Sequence, residues 1–139
     1  MENQPAWLRT SIAPKLRLTA KESRAFFENE LAKSGAICAT WTILASLRLE
    51  GPMIQRSLAR YLSIEGPTLS RHLEVMERRD LVSRRRDGAD RRAAVVALTE
   101  EGASRFEEIE SVALRSQERV LRGLSDADVR RLSEVLERR

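Results

Sequence analysis

One cysteine, Cys38, and one histidine, His72, are all that 139 residues supply of thiols and imidazoles. A lone cysteine excludes an internal disulfide framework, and one Cys with one His leaves no credible zinc cluster. The same scarcity removes most catalytic constellations. The acidic residues are spread over helix surfaces beside lysine or arginine, and the chain has no glycine-rich phosphate loop and no nucleophile elbow. No enzyme activity, catalytic residue, metal or cofactor is expected. No apolar run approaches the roughly 20 residues of a membrane helix. The opening residues MENQPAWLRT also lack the apolar core of a signal peptide. The expectation is a cytoplasmic protein without a membrane partner. Six aromatic side chains are few for the exposed anchors of a protein-binding surface.

What is present fits one soluble globular domain with a real core: 42% of residues are hydrophobic and 33% charged. The formal net charge of +4 is modest, and its placement says more than its size. Residues 53–98 hold ten arginines against six carboxylates, whereas the two flanks together carry fifteen of each sign and cancel. A basic centre between neutral helical flanks is the pattern of a nucleic-acid module on a separate scaffold. A solvated, salt-bridged surface would give the same charge count.

The segment LVSRRRDGADRRAAVVALTEEG, residues 81–102, separates these readings. Val82 and Arg84 to Arg86 precede Asp87-Gly88, a pair that tolerates positive φ, and Ala93 to Leu98 returns as a β-prone run. The pattern predicts a basic hairpin whose tip carries Asp90, Arg91 and Arg92. A carboxylate can brace one guanidinium and leave the other pointing outward. Such a tip suits a narrow minor groove, where the potential is most negative.

Helical periodicity fills the rest. A helix is predicted from about Lys15 to Lys33, after Pro14, and a second from Cys38 to the Gly51-Pro52 break, with Trp41, Leu44 and Leu47 on its apolar side. Gln55 to Leu62, the turn Ser63-Ile64-Glu65-Gly66, and a helix starting at Pro67 and running to about Arg79 read as helix, turn, helix. Thr99 is a good N-cap for a helix to about Arg122. Ser125-Asp126-Ala127-Asp128 reads as a capping box for a last helix with Val129, Leu132, Val135 and Leu136 on one face. The end helices have narrow apolar stripes, which suits pairing with a second copy of the chain; packing on their own domain as a monomer is the alternative.

At 100° per residue Leu69, Leu73 and Met76 share the core side of the helix beginning near Pro67. Pro67, Arg71, Glu74 and Arg78 lie opposite, with Thr68 and Ser70 on the shoulders. The first turns of such a helix enter the major groove, where short hydroxyls and a guanidinium fork suit phosphate or guanine. His72 projects nearer the core and reads equally as a half-buried packing residue or a DNA contact. Glu74 and Arg78 suit an i, i+4 surface pair.

The succession QRSLARYLSIEGPTLSRHLEVMERRDLVSRRRDGADRRAAVVALTEEG resembles the winged helix-turn-helix core of MarR-type transcriptional regulators, in particular SlyA-like members. GAICATWTILASL, residues 35–47, aligns with the segment that precedes that core, so the resemblance covers nearly the whole chain. It implies a mainly α fold with a small β wing, its N- and C-terminal helices forming a dimerisation region. Residues 1–34 and 100–139 would be the dimerisation helices, 35–52 a linking helix and 53–99 the DNA-binding lobe. The implied partners are double-stranded DNA, a second copy of the chain and a small-molecule effector. The candidate DNA contacts are Gln55, Arg56, Pro67, Thr68, Ser70, Arg71, His72, Arg84, Arg86, Asp90, Arg91 and Arg92. Two recognition helices would enter successive major grooves of a pseudo-palindrome, and the protein would act as a repressor.

The chain departs from the family pattern at Ile37 and Ile54, where threonine often starts the helix, and at Asp80, where glycine is usual. Each lost cap costs on the order of 1 kcal/mol. Asp tolerates a left-handed backbone, so the turn at residue 80 is expected to survive. Family members bind phenolic or other aromatic compounds in a cleft beside the dimer helices, which marks Arg17, Cys38 and Trp41 as candidate ligand contacts. A Trp at helical spacing with leucines, as Trp41 is, is far more often core. Two alternatives stand beside the effector-controlled repressor. One is a thiol-based sensor using Cys38, whose place at a helix N-terminus would lower its pKa. The other is a winged-helix module that binds protein.

Overall fold

Capping and left-handed residues divide the chain into its elements. The computed structural model describes residues 5–86 and 93–138. A short helix, α1 (Ala6–Thr10), precedes α2 (Ile12–Lys33), with Ser11 extended between them. Helical periodicity gives no sign of α1, which is five residues long and buries nothing, and α2 begins three residues before the predicted Lys15. Pro14 lies inside the first turn of α2, where its missing N–H deprives no carbonyl of a partner. Gly35, at φ 70°, then reverses the chain into α3 (Cys38–Glu50), and Gly51, at φ 79°, ends that helix.

The strand β1 (Met53–Ile54) leads directly into α4 (Gln55–Leu62), the turn and α5 (Gly66–Arg78). The hairpin strands are β2 (Val82–Arg86) and β3 (Ala94–Leu98). The sheet order is β1-β3-β2, all antiparallel, with Arg84 opposite Val96 and Ile54 opposite Val95. Expected as a two-stranded hairpin, the wing is thus a three-stranded sheet that ties the start of α4 to β3. The long α6 (Glu100–Val120) and α7 (Asp126–Glu137) complete the chain. The result is a mainly α fold with a small β wing, a winged helix-turn-helix.

The caps behave largely as their residues predict. Thr99 accepts the Gly102 N–H at 2.9 Å, and its hydroxyl donates to the Asp80 carbonyl. Ser125 and Asp128 form the reciprocal capping box. Ile37 and Ile54 cap α3 and α4 without a side-chain hydrogen bond. Asp80 sits at φ 59°, the left-handed position that ends α5. There its N–H bonds the Glu77 carbonyl and the Leu81 N–H bonds that of Met76, a Schellman closure. Ser63, at φ 55°, closes α4 in the same way.

One core joins all the elements that matter for the site. Leu69 and Leu73 are fully buried and Met76 nearly so, as the helical projection required, and they meet Leu44, Leu58 and Val96 from the neighbouring elements. Truncating a leucine in such a place to alanine costs about 2–5 kcal/mol. On α3 the hydroxyls bond back along the helix: exposed Thr42 donates to the Cys38 carbonyl and buried Ser46 to the Thr42 carbonyl, each at 2.7 Å. α6 packs on α2 and α3. α7, by contrast, buries no residue of its own.

Candidate nucleic-acid interface and effector cavity

The first turns of α5 present Pro67 and Arg71 to solvent, on the side opposite Leu69, Leu73 and Met76. Ser70 is half-buried on the shoulder, and Arg56, in the first turn of α4, is exposed. No acidic residue occupies the first turn of either helix. The cap of α4 is the uncharged Ile54, whereas Glu65 stands at the cap of α5, beside the positive end of its dipole. On β2, Arg85 and Arg86 are exposed. Arg85 was absent from the residues singled out by sequence, and strand alternation sends it to the face opposite Arg84 and Arg86. Asp90, Arg91 and Arg92 lie outside the described residues, as does the Asp87-Gly88 turn.

Four candidates, Arg84, Gln55, Thr68 and His72, have other contacts in the geometry. Arg84 does not stand free as a phosphate contact would: its Nε donates to Glu77 Oε1 at 2.6 Å and its Nη2 lies 2.5 Å from the same oxygen. Nη1 donates to Gln55 Oε1 at 3.4 Å, so Gln55 is engaged too. The acidic partner of Arg84 on α5 is thus Glu77. Thr68 and His72 turn from the outer face of α5 toward a cavity behind it. For His72 this favours the half-buried packing reading.

That cavity, about 1060 Å³, lies between α2, α3, α5, α6 and α7. Its lining is mostly apolar, with few polar groups, which is the usual character of a small-molecule site. Cys38 and Trp41 line it, but Arg17 does not. The arginine that does is Arg24, two turns further along α2. Helical spacing alone cannot choose between two arginines seven residues apart, since both lie on nearly the same face. Arg24 donates to Glu28 Oε1 at 2.8 Å, and that bond and charge hold it firmly protonated.

Trp41 is both core and lining. It stacks on Phe106 at 5.2 Å between centroids and 10° between planes, and meets Phe27 edge-on at 6.2 Å. The Arg48 guanidinium covers the Phe106 ring at 5.7 Å. Cys38 shows the opposite of the activation a thiol sensor needs. Burial above all, and then the Glu28 charge, push its thiol above the ordinary range against the pull of Arg24. Position at a helix N-terminus does not overcome desolvation here.

Among the described residues no group of three or more His, Cys, Asp or Glu side chains could hold a metal, and no helix is long and apolar enough to cross a membrane.

Comparison with known proteins agrees with this geometry. A family model described as MarR family matches residues 39–93. An uncharacterized HTH-type transcriptional regulator of Bacillus subtilis (strain 168), YwoH, is 34% identical over 117 residues, 84% of this chain and 82% of its own. Two solved structures share the fold. BpsR of Bordetella bronchiseptica, whose DNA binding is regulated by 6-hydroxynicotinic acid, has a TM-score of 0.83 at 24% identity, covering 91% of this chain and 96% of that one. A mutant MarR from E. coli, complexed with operator DNA, has a TM-score of 0.80 at 19% identity, covering 97% and 98%.

Proposed function

The chain belongs to the MarR family of transcriptional regulators, and from that membership we propose that it is a homodimeric repressor of a pseudo-palindromic DNA operator, released by a small aromatic effector. Regulators of this kind act by binding DNA and not by catalysis. The observation that carries the reading is α5: a helix locked to the core by Leu69, Leu73 and Met76, with Arg71 exposed on the opposite side. Pro67, Ser70 and Arg71 enter the major groove, Arg56 meets phosphate, and Arg86 with Asp90, Arg91 and Arg92 serves the adjacent minor groove. Operator DNA bound to the E. coli MarR of the same fold supports this arrangement. A dimer seated on a promoter excludes polymerase without any further contact surface, hence repression.

Dimerisation rests on the apolar side chains that one copy leaves in water. Trp7 is 65% exposed, and Ile12, Leu132, Val135 and Leu136 are also exposed, on helices that bury almost nothing of their own. Large apolar side chains left exposed on the end helices suit an interface between two copies of the chain. Residues 1–34 and 100–139 form the dimer, 35–52 link, and 53–99 read DNA. An effector in the cavity touches Thr68 and His72 of the reading helix together with Arg24 and Trp41 of the scaffold. Its differential affinity for DNA-competent and incompetent dimers would shift binding. The Arg24 nitrogens outside its bond to Glu28 favour an aromatic acid, and the control of BpsR by 6-hydroxynicotinic acid supports that class.

The test is a salt-titrated binding assay on the DNA upstream of the protein's own gene against a scrambled duplex of equal length, with and without aromatic acids. Preference for the upstream duplex near physiological salt, relieved by one such acid, is the expected result. Equal, salt-labile binding to both duplexes would contradict it.

A further inference from the structure

Arg84 stands where three elements of the lobe meet. It is the middle residue of β2, its fork closes on Glu77 in the last turn of α5, and its remaining nitrogen reaches Gln55, the first residue of α4. The partners are 7 and 29 residues away in sequence, so the contacts are tertiary and join the hairpin to both helices of the helix-turn-helix. The only other tertiary ion pair among the described residues, Arg115 with Glu30, is longer, at 3.9 Å. The Arg84 side chain is 21% exposed and that of Glu77 35%, so the pair is partly shielded from water and salt. Nε and Nη2 converge on one carboxylate oxygen, a short charge-assisted contact made with two of the three guanidinium nitrogens.

A carboxylate beside a DNA-binding surface repels phosphate, and a basic strand needs no acid to bind DNA. Glu77 therefore weakens simple electrostatic attraction while fixing an arginine that would otherwise add to it. We infer that the Arg84–Glu77 bridge, with Gln55, is a positioning device that holds the wing strand in fixed register against the recognition helix, so that groove contacts from both elements are made at once. Arg84 acts through this bridge and not by touching phosphate. The inference rests on the DNA-binding reading above and adds two residues, Glu77 and Gln55, whose role is to place the contacts made by others. Mispositioned contacts lose far more than their number suggests, because each element then binds without the other.

Two substitutions separate positioning from direct contact, measured as affinity and salt dependence of the full-length protein on the upstream duplex, with thermal melts to confirm folding. Glu77→Gln removes a negative charge near DNA. Electrostatics alone predicts tighter binding, whereas loss of the bridge predicts binding weaker by roughly tenfold, within the range of coupled contacts. Arg84→Lys keeps the charge but replaces the fork by a single ammonium that cannot hold Glu77 and Gln55 together. It is expected to weaken binding by a similar factor with the salt slope unchanged, and the double variant is expected to be no worse than either single one. Tighter binding by Glu77→Gln, or an Arg84→Lys protein that binds as wild type does, would overturn the inference and leave the regulator reading standing. Wild-type protein that prefers no duplex would overturn both.

Discussion

The backbone of Gly102 packs so tightly on Leu81 that a Cβ at residue 102 would overlap the Leu81 carbonyl oxygen, with Leu98 Cδ2 a further 3.2 Å contact. The same carbonyl accepts the Thr99 N–H at 3.2 Å. The start of α6 is thereby seated directly on the start of β2, and the scaffold helix and the wing share one joint. Replacing a helical glycine by alanine normally stabilises by about 1 kcal/mol. Gly102→Ala is expected to do the reverse and to cost about 2–3 kcal/mol, the upper range of overpacking, since backbone cannot yield as a side chain would. Urea unfolding of the two proteins reads the sign directly.

Asp80 makes a second, smaller prediction at the same joint. Its φ of 59° strains an L-residue, and its carbonyl receives the Thr99 hydroxyl whatever the side chain. Asp80→Gly should stabilise by roughly 0.5 kcal/mol, the relief of strain offset by glycine's greater freedom when unfolded. Asp80→Val should destabilise by about 1–2 kcal/mol. Melting temperatures in the order Gly, Asp, Val check this.

Local chemistry was legible where one or two residues decide the outcome. Thr99, Ser125 and Asp80 act through their own backbone neighbourhoods, and the Leu69–Leu73–Met76 stripe follows from helical geometry alone. What was not legible depends on partners distant in sequence. Met53–Ile54 is a strand only because β3 lies beside it. Arg84 looks like any basic wing residue until the fold brings Glu77 and Gln55 to it. The choice of Arg24 over Arg17 needed the facing helices, and α1 is too short for periodicity to detect. Asp90, Arg91 and Arg92 lie outside the described residues, and their role rests on the proposal.

For Cys38 the raised thiol pKa predicts inertness. Because the folded protein holds this proton more tightly than the unfolded chain, the thiol favours folding below its unfolded pKa. That contribution is lost as pH rises through the folded value. Alkylation of the native protein by iodoacetamide should be slow at pH 7 and accelerate only above the ordinary thiol range. Cys38→Ser should bind DNA as wild type does, before and after peroxide treatment. Rapid alkylation at neutral pH would restore the thiol-sensor alternative.

The cavity predicts a fluorescence signal. In a Trp7→Phe background Trp41 is the sole indole, and an aromatic acid entering the cavity should quench it. Arg24→Ala should weaken that acid by roughly ten- to 150-fold through the lost charged hydrogen bond while leaving the fold intact. An uncharged analogue of the acid should lose little on the same substitution. Titrating both ligands against both proteins completes the cycle.

The most direct measurement is the binding of Arg71→Ala and wild type to the operator in the upstream duplex and to a scrambled duplex at one salt concentration. A guanidinium that reads a base edge from α5 is worth about 1–3 kcal/mol, so affinity for the operator should fall roughly five- to 150-fold while affinity for the scrambled duplex falls far less. Equal losses on both duplexes would make Arg71 a phosphate contact only. No loss on either would contradict the placement of α5 in the groove.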